Sequence, residues 1–377
     1  MSTYDLTRAG LDSLLTPGVD AATRTAIENY LSANGSFTSD PNSSLEAWAG
    51  SGQPSDQPGG ATSSTVLLDF TSAGAHFVDT TDTNVSAIVG SSFGDTTLIV
   101  SGSGDSIITT SRGDDKVAIN DSNSATPGAH DVYTGEGNDT LIAGAGADTL
   151  HGGEGNDLLV AHAGASTLFG DSGDDTLVVD LVDGGTTAHT LDGGQGNDLI
   201  YGGGGADTLL GGQGDDVVYA GSGNTTIDGG QGNDTLFGGS GDDTITGGQG
   251  DDMLSGLGGN NVLDGGQGND TLYSGSGSDT LLGGAGDDIF SLGSGNTNAS
   301  GGDGNDLFEV TSTSGHDTID GGAGSNTIIF DQHTAASASY QNIGGGVTQV
   351  SFDGGAQTVN VSNVTTLVFT DGAHQIT

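Results

Sequence analysis

Gly193-Gly194-Gln195-Gly196-Asn197-Asp198-Leu199-Ile200-Tyr201 has the form G-G-x-G-x-D-x-U-x, with U apolar. Twelve more units of nine residues follow without a gap, so residues 193–309 read as one array. Five further units in the same frame run from Thr134 to Val178. Position 8 is apolar in all eighteen, from Leu141 and Leu150 at the start to Ala299 and Phe308 at the end. Six residues of each unit make a loop, whose glycines permit φ > 0 and close backbone approach. Three make a short strand, which buries position 8 because alternate side chains point to opposite faces. Loop, strand, loop and strand close one turn in eighteen residues. The period predicts an all-β parallel β-roll, a solenoid.

One or two buried side chains per turn cannot offset the entropy of ordering so much glycine. The Asp at position 6 is the candidate for what holds the coil closed. Ca²⁺ takes about six to eight oxygens from carboxylates and backbone carbonyls. Stacked loops offer both, about 4.7–4.9 Å apart at the strand spacing. The candidate ligands are Asp139, Asp148, Asp157, Asp175, Asp198, Asp207, Asp216, Asp234, Asp243, Asp252, Asp270, Asp279, Asp288, Asp306 and Asp317. These units resemble the RTX, or haemolysin-type calcium-binding, repeat family, over about half of the chain. The resemblance implies several Ca²⁺ ions, each between one loop and the loop a full turn later. It also implies type I secretion read from an uncleaved C-terminal region, with folding triggered by extracellular calcium.

Composition agrees. The chain has 73 Gly, 50 Asp plus Glu and a net charge of −46. Its basic residues are Arg8, Arg24, Arg112 and Lys116. Such a coil repels itself until cations neutralise it. A disordered acidic chain would not keep position 8 apolar through eighteen units. Without calcium the repeat is expected to be disordered. This charge makes nucleic acid and anionic membrane poor partners. There is no Cys, hence no disulfide framework. No apolar run approaches the roughly twenty residues of a transmembrane helix. Met1–Asn34 lacks the basic start, apolar stretch and cleavage site of a signal peptide.

Residues 1–49 read as a short helical segment. Asp20 suits an N-cap, Gly35 suits a C′ position, and Ala22, Ala26, Ile27, Tyr30 and Leu31 recur at helical spacing. Leu11, Leu14 and Leu15 suggest a shorter helix before it. Elements this small must dock on the roll or on another subunit. Residues 50–64 are rich in Gly, Ser and Pro and read as a linker. Residues 65–133 carry β-type runs with only remnants of the motif, at Gly104-Asp105 and Gly113-Asp114-Asp115. They read as a calcium-poor start or cap of the roll, which protects an open strand edge. Calcium-binding repeats are expected over 134–330. Residues 331–377 alternate differently and read as a β C-terminal cap and secretion region.

A second period lies inside the first. Val179–Asp192 is one unit with a loop insertion, and Val310–Asp320 is one with two extra residues. With these counted, odd units all carry Asp at position 6, from Asp139 to Asp306. Even units alternate: Asp148, Asp207, Asp243, Asp279 and Asp317 are interrupted by Ser166, Thr225, Asn261 and Thr297. The sequence therefore repeats every 36 residues, and one calcium row should bind more weakly than the other. Odd units also repeat Gln at position 3, from Gln195 to Gln267, where an amide ladder is expected. Their outward positions are apolar at Leu199, Tyr201, Val217, Tyr219, Phe237, Met253, Tyr273, Ile289 and Leu307. The even face carries Thr208, Thr226, Asp228, Thr244, Thr246, Asp264, Thr280 and Ser300, so the roll should be two-faced.

No catalyst emerges. The eight His are scattered and no H-E-x-x-H occurs. Gly90-Ser91-Ser92-Phe93-Gly94 matches G-x-S-x-G, but no strand-to-helix context follows it. The chain reads as a non-enzyme. One reading is a secreted structural protein that self-assembles into a homopolymer, as a surface layer, fibre or biofilm matrix. The other is a calcium-dependent adhesin or glycan-binding module, with surface polysaccharide as partner, assisting a separate enzyme.

Overall fold

The computed structural model describes residues 66–375, except 71–73, 80–84, 91–93, 102–104, 122–126, 180–185 and 353. The helical segment expected over 1–49 and the linker 50–64 lie outside the described residues. The chain divides into two compact units, residues 1–172 and 173–377.

In the first unit successive strands alternate between two parallel sheets. One sheet takes Gly74–Asp79, Thr96–Ser101, Lys116–Asn120, Thr140–Ile142 and Leu158–Ala161. The other takes Val66–Phe70, Val85–Gly90, Ser106–Thr109, His130–Glu136, Thr149–Glu154 and Thr167–Ser172. The motif-poor strands thus form turns of the same parallel architecture. Their partners are 19 residues on between Thr97 and Lys116, and 24 between Lys116 and Thr140.

In the second unit the register settles to eighteen residues. Leu199 pairs with Val217, Val217 with Thr235, Thr235 with Met253 and Met253 with Thr271. In the other sheet Thr190, Thr208, Thr226, Thr244 and Val262 follow one another. Odd and even units therefore supply different sheets. The parallel order ends in an antiparallel closure, where Ser339–Gly344, Val347–Phe352 and Gln357–Ser362 form a meander. Phe330, Phe352 and Phe369 pack together there, with His333 stacked 4.0 Å from Phe352. One 3₁₀ turn, Ala335–Ser337, is the sole helical element among the described residues.

Parity explains the interior. Positions 6, 8 and 1 of the next unit share a face, so each strand turns an Asp, an apolar side chain and a glycine inward. All eighteen position-8 residues are buried, Ala299 being the most exposed at 4%. Phe290 and Phe308 stack in this column at 4.5 Å. The loops close because glycine takes conformations that other residues rarely adopt. In the unit starting at Gly211, Gly212 has φ +113° and Gly214 has φ +126°.

The outward faces differ from the sequence expectation in two respects. Tyr201, Tyr219 and Phe237 stack on the odd sheet, with centroids 5.2 and 5.0 Å apart. In the first unit, however, an even-sheet column also stacks: Tyr133, His151 and Phe169, at 4.6 and 4.5 Å. The even face is therefore polar only in part, because ring stacking needs in-register columns and either sheet supplies them. Gln195 to Gln267 do lie in register and exposed. No amide ladder forms among them. The loop backbone takes the cross-turn bonds instead, as Gly214 N–H donates to the Gln231 carbonyl at 2.7 Å.

Candidate metal centres

All fifteen position-6 aspartates proposed as ligands are buried, none more than 2% exposed. Strand parity turns them inward, and cross-turn bonds fix the carboxylates along both rows. The Asp216 N–H donates to Asp234 Oδ1 at 2.8 Å, and the Asp234 N–H donates to Asp252 Oδ1 at 2.8 Å. The ladder runs the same way from Asp252 through Asp270 and Asp288 to Asp306. Asn326 Oδ1 ends it by accepting from Asp306 N–H at 2.8 Å. The second oxygen is different. Thirteen of the fifteen have a buried Oδ2 with no hydrogen-bond partner.

The two exceptions are Asp148 and Asp207. Their Oδ2 atoms accept from Gly144 N–H and Gly203 N–H, each at 2.8 Å. Position 2 of those loops lacks the positive φ found at Gly135, Gly153, Gly194 and Gly212, which turns the N–H toward the carboxylate. Both loops also have Ala at position 5, Ala147 and Ala206.

Burial disfavours the charged form and raises these carboxyls. Asp139, Asp216, Asp252 and Asp288 are pushed up to about 7, mainly by desolvation, with neighbouring carboxylates adding to the rise. Asp157, Asp198, Asp234, Asp270 and Asp317 reach about 6, again chiefly through burial. The backbone N–H bond to each works in the opposite direction.

This arrangement calls for a cation with a taste for oxygen. Among the described residues no three His, Cys, Asp or Glu side chains converge on one point. The donors are instead carboxylates from stacked turns together with loop carbonyls. A Cβ on Gly211 would touch Asp216 Oδ2 and lie 2.6 Å from the Gly229 carbonyl oxygen. Glycine at position 1 thus leaves a cradle where an unpartnered carboxylate oxygen and a carbonyl oxygen approach each other. Hard oxygen donors of this kind suit Ca²⁺ and offer nothing to a thiophilic metal. The orphaned oxygens fit calcium.

The two rows differ in charge. In the even row of the second unit, Asp243 N–H donates to Asn261 Oδ1 at 2.9 Å, and Asn261 N–H to Asp279 Oδ1 at 2.8 Å. Thr225 and Thr297 donate their N–H to Asp243 and Asp317 but offer no carboxylate. Asn261 continues the ladder in both directions, Thr225 and Thr297 only donate to it, and all three reduce the anionic donors. Asp234→Ala removes a ligand from the continuous row, whereas Asp243→Ala touches the interrupted one. In calcium titrations followed by circular dichroism, Asp234→Ala should raise the folding midpoint several-fold and Asp243→Ala should raise it less. Equal midpoints would contradict the distinction.

The structure also shows two buried aspartates outside the fifteen candidates, one of them in the motif remnant Gly113-Asp114-Asp115. Asp115 and Asp121 are buried with unpartnered Oδ2 atoms. Outside the position-6 rows, position 5 forms an exposed ladder of alternating Asp and Asn in the odd loops of the second unit, from Asp174 to Asn305. Asp215 N–H donates to Asn197 Oδ1, Asn233 N–H to Asp215 Oδ1, and Asp251 N–H to Asn233 Oδ1. These bonds run opposite to those of position 6. Alternation keeps carboxylates from facing each other one turn apart, and Asn269 and Asn305 also donate Nδ2–H to Asp251 and Asp287.

Comparison with known proteins agrees with the geometry. Residues 133–332 match the RTX calcium-binding nonapeptide repeat (four copies) in eight segments, several of which overlap. No curated protein matches the chain. The match takes in every one of the fifteen aspartates and more than half of the sequence. The repeating carboxylate cradle and the extent of this match place the chain in the RTX calcium-binding repeat family.

Proposed function

We propose that this is a secreted structural protein, not an enzyme. It leaves by type I secretion, folds on extracellular calcium and self-assembles into a surface layer, fibre or biofilm matrix. The observation that carries the reading is the aromatic column on the odd sheet. Tyr201 and Tyr219 are 38% and 39% exposed, and their rings turn their faces to each other at interplanar angles of 7° and 8° along the column. Ring faces taken up by stacking within the column suit packing against a protein surface better than stacking on a sugar. Tyr273 and Ile289 extend the exposed apolar strip. A strip of this length on one face favours association. No helix among the described residues is long and apolar enough to cross a membrane.

The amphipathic sequence of residues 1–34, with Arg8 and Arg24, offers a complementary surface for the strip of a neighbouring chain. Full-length protein should sediment as polymer and show filaments or sheets by electron microscopy in millimolar calcium. Deleting residues 1–49 should leave calcium-folded monomers. Monodisperse full-length monomers in calcium would overturn the reading. The exposed Gln column favours the second reading, a calcium-dependent adhesin for surface polysaccharide, because its amides are not engaged with one another.

A further inference from the structure

We infer that the calcium row continues upstream of the recognised repeats and that Asp115 is a calcium ligand there. The inference rests on the calcium reading of the repeats. Thr110-Ser111-Arg112-Gly113-Asp114-Asp115-Lys116-Val117-Ala118 lies outside the matched residues 133–332. It nevertheless keeps positions 4, 6 and 8 of the nonapeptide, with Thr110 in place of glycine at position 1, as Thr134 is in the next unit of the row. Gly113 at position 4 has φ +110°, as Gly137 and Gly155 have +140° and +131°. Val117 at position 8 is buried, 2% exposed. Lys116 pairs in parallel with Thr140, and Thr140 N–H donates to the Asp115 carbonyl at 2.8 Å. The equivalent bond one turn later, Leu158 N–H to the Asp139 carbonyl, is 2.9 Å.

The carboxylate of Asp115 is placed like those of the repeats. Its N–H donates to Asp139 Oδ1 at 2.7 Å, and its own Oδ1 accepts from Thr96 N–H at 2.6 Å. Its Oδ2 is buried without a partner, and the residue is 1% exposed. The Gly113 carbonyl lies against the bare Cα of Gly137, so a carbonyl oxygen sits in the loop beside the stacked turns of Asp115 and Asp139. The adjacent Arg112 does not take the place of a cation, since its Nε pairs with Glu136 at 3.1 Å. The row stops one turn earlier, where Thr96 occupies the ladder position and its hydroxyl donates to the Gly94 carbonyl at 3.2 Å. Asp115 and Asp139 thus form an all-oxygen site in which Thr110 and Thr134 bring hydroxyls where the later sites of the row have glycine. Calcium then ties the motif-poor strands Thr96–Ser101 and Lys116–Asn120 to the repeat array.

Full-length protein tests this. Asp115→Asn keeps an Oδ1 acceptor for Thr96 and removes the charge. Asp131→Asn, on an exposed position of the neighbouring strand His130–Glu136, controls for loss of one charge. Bound calcium is counted by equilibrium dialysis with atomic emission, and hydrogen exchange is followed with and without calcium. Wild type should gain calcium-dependent protection in peptides spanning residues 105–120. Asp115→Asn should bind at least one ion fewer and lose that protection while residues 193–309 keep theirs; Asp131→Asn should behave as wild type. An unchanged calcium count in Asp115→Asn, or wild-type exchange over 105–120 that ignores calcium while 193–309 respond, would overturn the inference alone. Exchange over 193–309 that ignores calcium would overturn the calcium reading of the repeats with it.

Discussion

In chelator at pH 7.5 the protein should show the far-ultraviolet spectrum of a largely unfolded chain, and millimolar calcium should restore a β spectrum. The buried carboxylates decide this. Each unsatisfied buried polar group costs about 1–3 kcal/mol, and more when charged. Thirteen candidate ligands carry such an oxygen. Folded domains are stable by only about 5–15 kcal/mol. One apolar residue per nine, even fully buried, does not make good that deficit in a glycine-rich chain. Calcium binds the folded state and supplies the missing partners, so its binding free energy becomes folding free energy. Circular dichroism through a calcium titration reads this directly. A β spectrum unmoved by chelator would refute it.

Acid should partly replace calcium. The folded, metal-free roll holds carboxyls such as Asp216 and Asp252 at about 7, chiefly through burial, against an ordinary value of 3.8. A group raised on folding stabilises the folded state fully below its unfolded pKa. That contribution is lost as pH rises through the folded value. The metal-free roll should therefore be most stable near pH 4, lose stability between pH 4 and pH 7, and gain β signal in chelator when moved from pH 8 to pH 5. With calcium the transition starts from the unfolded chain, whose carboxyls, at an ordinary 3.8, are already ionised between pH 6 and pH 8. Folding onto calcium then exchanges few protons, so the midpoint should change little across that range. At pH 5, where the metal-free roll is partly folded with protonated carboxyls, calcium binding should release protons, measurable as a buffer-dependent heat in calorimetry. A chelated chain equally unfolded at pH 5 and pH 8 would dismiss the idea.

Much of this was legible in the sequence because the nonapeptide fixes parity. Asp198 and Ile200 must share a face, and a turn of two units must send odd and even strands to different sheets. That the odd row should bind calcium more strongly is an expectation from its unbroken Asp at position 6. Other features escaped for definable reasons. Asp115 is separated from its partner turn by a 24-residue step, so the frame breaks although the loop does not. Asp121 carries no motif at all, and only the N–H of Ala145, donating to its Oδ1 at 2.6 Å, shows how it is held. Saturation of Asp148 and Asp207 depends on the direction of two glycine N–H groups, which composition does not specify. The strand Ser339–Gly344 has every side chain exposed, so its residues carry no alternation of burial to reveal it.

The register of eighteen residues bears on how such a gene can change length. Removing residues 229–264 would join Asp228 to Gly265, which brings Asp270 onto Asp216 and Asp279 onto Asp243's former neighbour Thr225. Every column would then keep the kind of residue it had. Removing nine residues would exchange the two sheets for everything downstream, setting the Gln column against even loops and breaking the unbroken Asp row. Duplications and losses in this coding sequence should therefore be tolerated in steps of four units and penalised in steps of one, which would make the repeat number a heritable length setting with a coarse increment.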